Sequence, residues 1–199
     1  YPIIIMFGFL SGCGVATFSV GIPQVSYWYP QSRQGTVLGI FGGVGNLAPG
    51  IFTILLPFAI AAWGLAGSYF AWFTFLIIGT VVYAWFARDA YVFQLRQQGA
   101  DPDSSRRIAR EKGEELFPTQ TVWQAVTTAA EDPRTWGLVA LYFVSFGGFL
   151  ALTTWFPTYW INLHQMDVRQ AALLGGLGFS LVAAITRVFG GMISERLGG

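Results

Sequence analysis

The chain has 199 residues, of which 54% are hydrophobic and 11% are charged, and its formal net charge is +1. Soluble domains carry about 25% charged residues, so this composition excludes an ordinary soluble domain and indicates a membrane protein. The net charge says nothing about nucleic acid, but no basic patch with interleaved aromatic residues appears, so we do not expect nucleic acid as a partner.

Five apolar stretches are each about as long as the ~20 residues that cross a bilayer as a helix. They lie at 2–27, 37–62, 68–87, 136–160 and 170–193. The sequence therefore predicts an all-α transmembrane fold with five membrane-spanning helices. We expect 1–87 to hold three spans, 88–134 to form a loop with short surface helices, and 135–199 to hold two spans.

The second predicted span carries a stripe of small residues around one amide. Its members follow one another at intervals of four, three, four and four residues and are Gly35, Gly39, Gly42, Asn46 and Gly50. Such residues share one helix face, and bare backbone, to which Gly43 and Gly45 add, lets transmembrane helices approach closely. Packing does not explain Asn46, which lies about 15 Å into the span. Its partner is either a neighbouring helix or a polar substrate, and the stripe alone leaves both open.

A long polar loop separates the third span from the fourth and holds 15 of the 21 charged residues, between Arg88 and Arg134. Nine Lys and Arg residues lie on this side of the membrane, against Arg169 on the other, so the positive-inside rule makes the loop cytoplasmic. We expect a solvated connector, with a regulatory docking surface as the alternative. Asp132 before Pro133 predicts a helix start, because aspartate caps helices and proline fits the first helical position.

Arg187 is the only charged residue well inside a predicted span. It shares a helix face with Ser180, Ala184 and Gly191, and such small residues can line a cavity. An ionisable residue inside a membrane is a functional candidate, and arginine offers a planar fork of donors that matches planar oxyanions. We therefore expect Arg187 to attract an anion. The alternative is that its side chain reaches the headgroups, which lie roughly 12 Å away along the helix.

Two other spans place aromatic residues among small ones. Tyr142, Phe146, Phe149 and Thr153 share one face of the fourth span, and Phe18 lies on a face of the first. Faces of this kind are more often packing surfaces than binding surfaces. Flat rings beside an arginine also suit a flat, weakly hydrated anion, whose faces the rings can sandwich.

At these residues the chain resembles a known family. "GIFGGVGNLAPG" is similar to the glycine-rich nitrate signature in helix five of the nitrate/nitrite porters of the major facilitator superfamily. "SYWYPQSRQGTVLG" resembles the junction of helices four and five, "LYFVSFGGF" helix seven, and "ITRVFGG" helix eight. "GGMISERLGG" is similar to the superfamily's loop motif, with Glu195 in place of the usual aspartate. The resemblance covers essentially the whole chain, which would run from helix four to helix eight of a twelve-helix protein.

The resemblance implies a partial major facilitator fold with a substrate site near the middle of the membrane. It assigns substrate binding to Arg187, Asn46, Tyr142, Phe146 and Phe18. Arg187 would bind the anion by charge and hydrogen bonds, Asn46 and Tyr142 would add donors, and the two phenylalanine rings would clamp its faces. The glycines would let helices slide or tighten as the cavity changes sides. The family's second binding arginine belongs to helix two and its second signature to helix eleven, so the chain would hold half a site.

The resemblance also implies a multi-pass transporter of nitrate, nitrite or both in the plasma membrane, monomeric when full length and with no cofactor or metal. No Asp, Glu or His lies inside the five predicted spans, and a proton relay needs such a group at depth. We therefore expect exchange of nitrate for nitrite, with proton-coupled nitrate symport as the alternative. A major facilitator carrier for another small anion and a non-transporting membrane protein also remain open. The sequence shows neither a nucleophile paired with a general base nor a phosphate-binding loop, so we do not expect an enzyme.

Overall fold

The computed structural model describes residues 2–118 and 120–197, apart from the side chains of residues 11, 15 and 16. Every regular element within them is helical, which confirms the predicted all-α class. In chain order the elements are α1 (Pro2–Ser26), a 3-10 turn (Gln31–Arg33), α2 (Gln34–Phe86), α3 (Tyr91–Gln97), α4 (Pro102–Glu111), α5 (Val122–Glu131), α6 (Pro133–His164), α7 (Val168–Ala171), a π-helical turn (Ala172–Gly178) and α8 (Phe179–Arg196). Residues 198 and 199, which end the loop motif, lie outside the described residues.

Four helical stretches of the described chain are long and apolar enough to cross a membrane. They are Pro2–Ser26, Gln31–Phe86, Pro133–His164 and Val168–Arg196. Three of them agree with the predicted spans at 2–27, 136–160 and 170–193, because hydropathy over ~20 residues is a local property of the sequence. The remaining stretch has 56 residues and covers the predicted spans at 37–62 and 68–87.

The backbone of α2 breaks at Gly64, whose φ of 67° and ψ of 177° lie far from helical values. The chain folds back at this break, since the ring centroid of Phe52 lies 4.1 Å from that of Trp72 and 6.3 Å from that of Phe75. A straight helix would separate Phe52 from Trp72 by about 30 Å. The backbone conformation at the break is accessible essentially only to glycine, so Gly64 makes the fold-back possible.

Helix α6 begins where the sequence predicts the start of the fourth span. The Asp132 carboxylate accepts a hydrogen bond of 2.9 Å from the backbone N–H of Arg134, and Pro133 is the first residue of the helix. The aspartate satisfies an amide that the helix leaves without a partner, and proline has no N–H to lose. The predicted helix start is confirmed.

The polar loop contains a packed core around α3 and α4. Glu114 is 1% exposed, and its carboxylate accepts hydrogen bonds from the backbone N–H groups of Tyr91 at 2.5 Å and Val92 at 3.1 Å. These are the first residues of α3, so the carboxylate caps that helix. The helix α5, capped by Thr121, is exposed throughout. The expected solvated connector therefore describes α5 but not the part of the loop around α3 and α4.

The chain divides by its internal contacts into two compact units. The first consists of Tyr1–Phe41, Arg88–Phe117 and Val188–Gly199, and the second of Gly42–Ala87 and Pro118–Arg187. In the first unit the end of α1 packs on α3 through edge-to-face ring pairs, Tyr27 with Phe93 at 5.2 Å and Trp28 with Tyr91 at 5.4 Å. Both units combine segments that are distant in sequence, so the predicted division at residues 87 and 134 stays a prediction.

A π-helical turn, Ala172–Gly178, joins α7 to α8 in the second unit. It packs closely on α6, because a Cβ built on Gly175 would lie 2.8 Å from the carbonyl carbon of Phe156 and 2.8 Å from the nitrogen of Pro157. Turns of this kind are rare and occur frequently at functional sites. The sequence predicts a regular span here, and the π-helical turn corrects that expectation.

Candidate functional site

Arg187, the predicted anion ligand, is half-buried in α8 and contacts α2 in the second unit. Its guanidinium lies against Gly42, which is buried. A Cβ built on Gly42 would contact Nε and would lie 2.7 Å from Cζ and 3.0 Å from Nη2 of Arg187. Real Cβ atoms essentially never approach other atoms below 3.0 Å. The observed position of the guanidinium therefore depends on a glycine at residue 42.

Gly50 is pressed against the π-helical turn and the start of α8 in the same unit. A Cβ built on Gly50 would lie 2.7 Å from the Cβ of Ser180 and 2.9 Å from the carbonyl oxygen of Gly176. Gly43 is also buried. A Cβ built on Gly45, by contrast, would meet no atom within 4 Å in the described chain. The structure thus brings Gly42 and Gly50 into close helix contacts and leaves Gly45 out of them.

Gly35 and Gly39 contact Gly191 in the first unit. A Cβ built on Gly191 would collide with the Gly35 carbonyl oxygen and would lie 2.8 Å from its carbonyl carbon and 3.4 Å from the Cα of Gly39. Contact between two helix backbones at this distance requires that neither position carries a side chain. These glycines therefore serve as contact points between α2 and α8 in the first unit.

A hydrogen-bonded pair, Glu195 and Thr36, accompanies this contact in the first unit. The Glu195 carboxylate accepts hydrogen bonds of 2.6 Å from the backbone N–H and from the hydroxyl of Thr36. Thr36 lies in the first turn of α2, where a negative charge is stabilised by unpaired amides and the helix dipole. The sequence pattern missed this pair, because Thr36 and Glu195 are 159 residues apart and no local signal connects them.

Two polar side chains of the second unit, Asn46 and Ser180, have no hydrogen-bond partner among the described residues. Asn46 is half-buried, and no hydrogen bond reaches its carboxamide within residues 2–118 and 120–197. The hydroxyl of Ser180 is fully buried and likewise has no partner in that part of the chain. A buried polar group without a partner costs free energy, so both side chains retain the capacity to bind water or a polar ligand.

A row of stacked rings runs from α6 to the start of α8. Tyr142 stacks on Phe146 with centroids 5.3 Å apart and planes 13° apart, and Phe146 stacks on Phe149 at 6.2 Å. Phe149 continues to Phe179 at 5.8 Å. An open groove of about 540 Å³ lies beside Tyr142 and Phe146, and Tyr142 is 42% exposed. The two predicted ligands of α6 therefore form one continuous aromatic surface.

Phe18, the fifth predicted ligand, belongs to the first unit, whereas the other four belong to the second. Its ring is half-buried and stacks on Phe41, with centroids 5.4 Å apart and planes 16° apart. Gly21 makes room for this pair, since a Cβ there would lie 2.7 Å from the tip of the Phe41 ring. The assignment of Phe18 to a substrate site stays a prediction.

The second unit contains the groups that the sequence analysis assigns to anion binding: the planar donors of Arg187, the carboxamide of Asn46 and the flat rings of α6. That these groups form one anion site stays a prediction. Among the described residues, no three His, Cys, Asp or Glu side chains lie close enough to hold a metal ion.

The chain is similar to known proteins over nearly its whole length. Residues 1–199 match the family model described as Major Facilitator Superfamily. The probable nitrate/nitrite transporter NarK2 of Mycobacterium tuberculosis is 28% identical over 197 residues, which cover 99% of this chain and 44% of that protein. The probable nitrate/nitrite antiporter NarK1 of Thermus thermophilus is 29% identical over 206 residues, covering 100% of this chain and 42% of that protein. The nitrate/nitrite transporter NarU of Escherichia coli is 24% identical over 218 residues, covering 100% and 41% respectively.

These similarities extend over nearly the whole chain but over only part of each relative. The chain spans less than half the length of the three relatives. No solved structure matches it significantly. The names of the relatives support the resemblance to nitrate/nitrite porters that the glycine-rich signature indicates.

Proposed function

Because the chain belongs to the major facilitator superfamily, we propose that its protein is a secondary transporter that moves nitrate, nitrite or both across the plasma membrane by alternating access. The observation that carries this proposal is the guanidinium of Arg187, half-buried against Gly42 inside an apolar helix. A charged residue inside a membrane is energetically costly, and a residue of this kind is therefore a functional candidate. The names of three relatives specify nitrate and nitrite, which supports these two anions as the proposed substrates.

The proposed topology has five spans, with the loop 88–134 in the cytoplasm. The break at Gly64 divides α2 into segments 34–63 and 65–86, and each is long enough to cross a bilayer. The contacts of Phe52 with the second segment support an antiparallel pair of spans. The excess of Lys and Arg in the loop supports its cytoplasmic location.

In the proposed site, Arg187 binds the anion through its charge and its planar donors. Asn46, which lacks a hydrogen-bond partner in the described chain, adds a donor, and so does the exposed Tyr142. Phe146 flanks one face of the planar anion. Nitrate and nitrite are planar and weakly hydrated, so flat rings and a flat guanidinium match them in shape.

We propose that transport proceeds by exchange of nitrate for nitrite. Arg187 is the only charged residue among the proposed ligands. Without an Asp, Glu or His at depth, the five proposed spans supply no proton carrier. The bound anion would then shift the population between the inward-open and outward-open states.

Counterflow in liposomes tests the proposal in the whole protein that carries this chain. Vesicles loaded with nitrate are given labelled nitrite outside, and uptake is compared for wild type, Arg187→Lys and Arg169→Lys. Lysine keeps the charge but loses the planar fork. Hydrogen bonds to a charged group contribute about 1.5–3 kcal/mol, so uptake by Arg187→Lys at low nitrite should fall roughly 10- to 100-fold.

Arg169 is the matched control, because it is exposed and lies over the Phe58 ring at 5.6 Å, away from the proposed ligands. Arg169→Lys should transport like wild type. Unchanged uptake by Arg187→Lys would contradict the site. Uptake that follows an imposed pH gradient would contradict exchange and favour proton symport, and equal competition by formate would favour a carrier of another small anion.

A further inference from the structure

We propose that Gly42 is a positioning residue for Arg187: its bare backbone lies under the flat face of the guanidinium and sets the plane in which that group presents its donors to the anion. This inference rests on the proposed function, because it assigns substrate contact to Arg187. It gives Gly42 a role that differs from the packing of one helix backbone on another.

The distances at Gly42 identify which side of the guanidinium it contacts. All N–H bonds of a guanidinium lie in the plane of the group. An atom in that plane beside the edge formed by Nε and Nη2 lies farther from Cζ than from either nitrogen. The Cβ position of Gly42 lies nearer to Cζ, at 2.7 Å, than to Nη2, at 3.0 Å, and it also contacts Nε. Gly42 therefore lies against the flat face of the guanidinium and not against its hydrogen-bonding edge.

This geometry separates the effect of a methyl group on binding from its effect on folding. The three atoms nearest to a Cβ at residue 42 all belong to the end of the long, flexible side chain of Arg187, which can move away at small cost. A Cβ at Gly50 would instead meet the carbonyl oxygen of Gly176, which cannot move without the helix. Gly42→Ala should thus leave the protein folded and displace the guanidinium from its plane.

Gly45 provides the matched control on the same helix. A Cβ there would meet no atom within 4 Å in the described chain, so Gly45→Ala introduces the same change in helix propensity without touching Arg187. Any difference between the two alanine variants reports the contact with the guanidinium.

The experiment measures the Kd of nitrate by isothermal titration, and the midpoint of thermal unfolding, in the whole protein that carries this chain. Gly42→Ala should weaken nitrate binding about tenfold, which is about 1.4 kcal/mol. Gly45→Ala should bind like wild type, and both variants should unfold at similar temperatures. In the background of Arg187→Lys, which has no planar group to misplace, adding Gly42→Ala should produce no further loss.

The inference would be overturned by a Kd for Gly42→Ala equal to that of Gly45→Ala, or by a further tenfold loss of nitrate affinity in the Arg187→Lys background. Failure of Gly42→Ala alone to fold would also overturn it, because residue 42 would then be a packing position. A Kd of Arg187→Lys equal to that of wild type, or wild-type protein that binds no nitrate, would instead contradict the proposed function and this inference with it.

Discussion

Helices α2 and α6 are both rich in glycine, yet their glycines have different surroundings in the second unit. A Cβ on Gly42 or Gly50 of α2 would approach atoms of α8 or of the π-helical turn to 3.0 Å or less. A Cβ on Gly147 or Gly148 of α6 would meet no atom within 4 Å in the described chain. The α2 glycines recur at the spacing of a helix face, whereas the α6 pair is adjacent in sequence. Spacing, and not glycine content, therefore marks the helix contact.

The largest expected effect comes from filling a close contact with the backbone of a neighbouring helix. Gly50→Val would place branched carbons against Ser180 and the carbonyl oxygen of Gly176, and overpacking costs about 1–3 kcal/mol or more. We expect a marked fall in the thermal unfolding temperature of the whole protein in detergent. Gly147→Val, in open space, should change that temperature little. Equal destabilisation by the two substitutions would show that the contrast between α2 and α6 has no energetic meaning.

The second effect concerns a glycine that is needed for its backbone conformation and not for space. At φ 67° and ψ 177°, Gly64→Ala would strain the backbone by about 1–3 kcal/mol. Gly79→Ala in the following helix, where φ is helical and a Cβ meets open space, should be neutral or stabilising. Thermal unfolding of both variants measures the difference, and a neutral Gly64→Ala would contradict the fold-back at this residue.

A third, smaller effect is expected for the carboxylate that accompanies the close contact at Gly35. Glu195→Gln removes the charge that accepts two hydrogen bonds from Thr36, and a negative charge at a helix N-terminus is stabilised by the helix dipole. We expect a small loss of thermal stability that shrinks at high salt. Glu131→Gln, at the exposed end of α5, serves as the control, and identical behaviour of the two variants would argue against the interaction.

The smallest effect is expected where the neighbour of a glycine is a side chain. The three atoms nearest to a Cβ on Gly21 all belong to the Phe41 ring, which can turn away. Gly21→Ala should therefore lower the free energy of unfolding by less than about 1 kcal/mol. A loss as large as that of Gly50→Val, measured by the same thermal unfolding, would show that the ring is held as rigidly as backbone.

Local features of the fold were predictable from the sequence. The apolar stretches predicted long helices, and the Asp132–Pro133 pair predicted the start of α6, because hydropathy and capping depend on neighbouring residues. The fold-back at Gly64 was predictable only as a gap between two spans. The π-helical turn was not, since the wider helix requires no distinctive residue pattern.

Contacts between distant segments were not predictable in the same way. The pairing of Glu195 with Thr36 and the burial of Glu114 depend on the folded chain, and acidic residues are ordinarily exposed. The spacing of the stripe identified Gly42, and depth in the apolar segment identified Arg187. That these two residues touch, and that the contact is with the face of the guanidinium, required the structure.

The most direct test of the central claim, that Arg187 binds a planar anion, is isothermal titration of nitrate into the whole protein and its Arg187→Lys variant. Loss of the planar fork should raise the Kd roughly 10- to 100-fold, while Arg169→Lys keeps the wild-type value. Equal Kd values for wild type and Arg187→Lys in folded protein would contradict the account, because the anion would then be bound elsewhere.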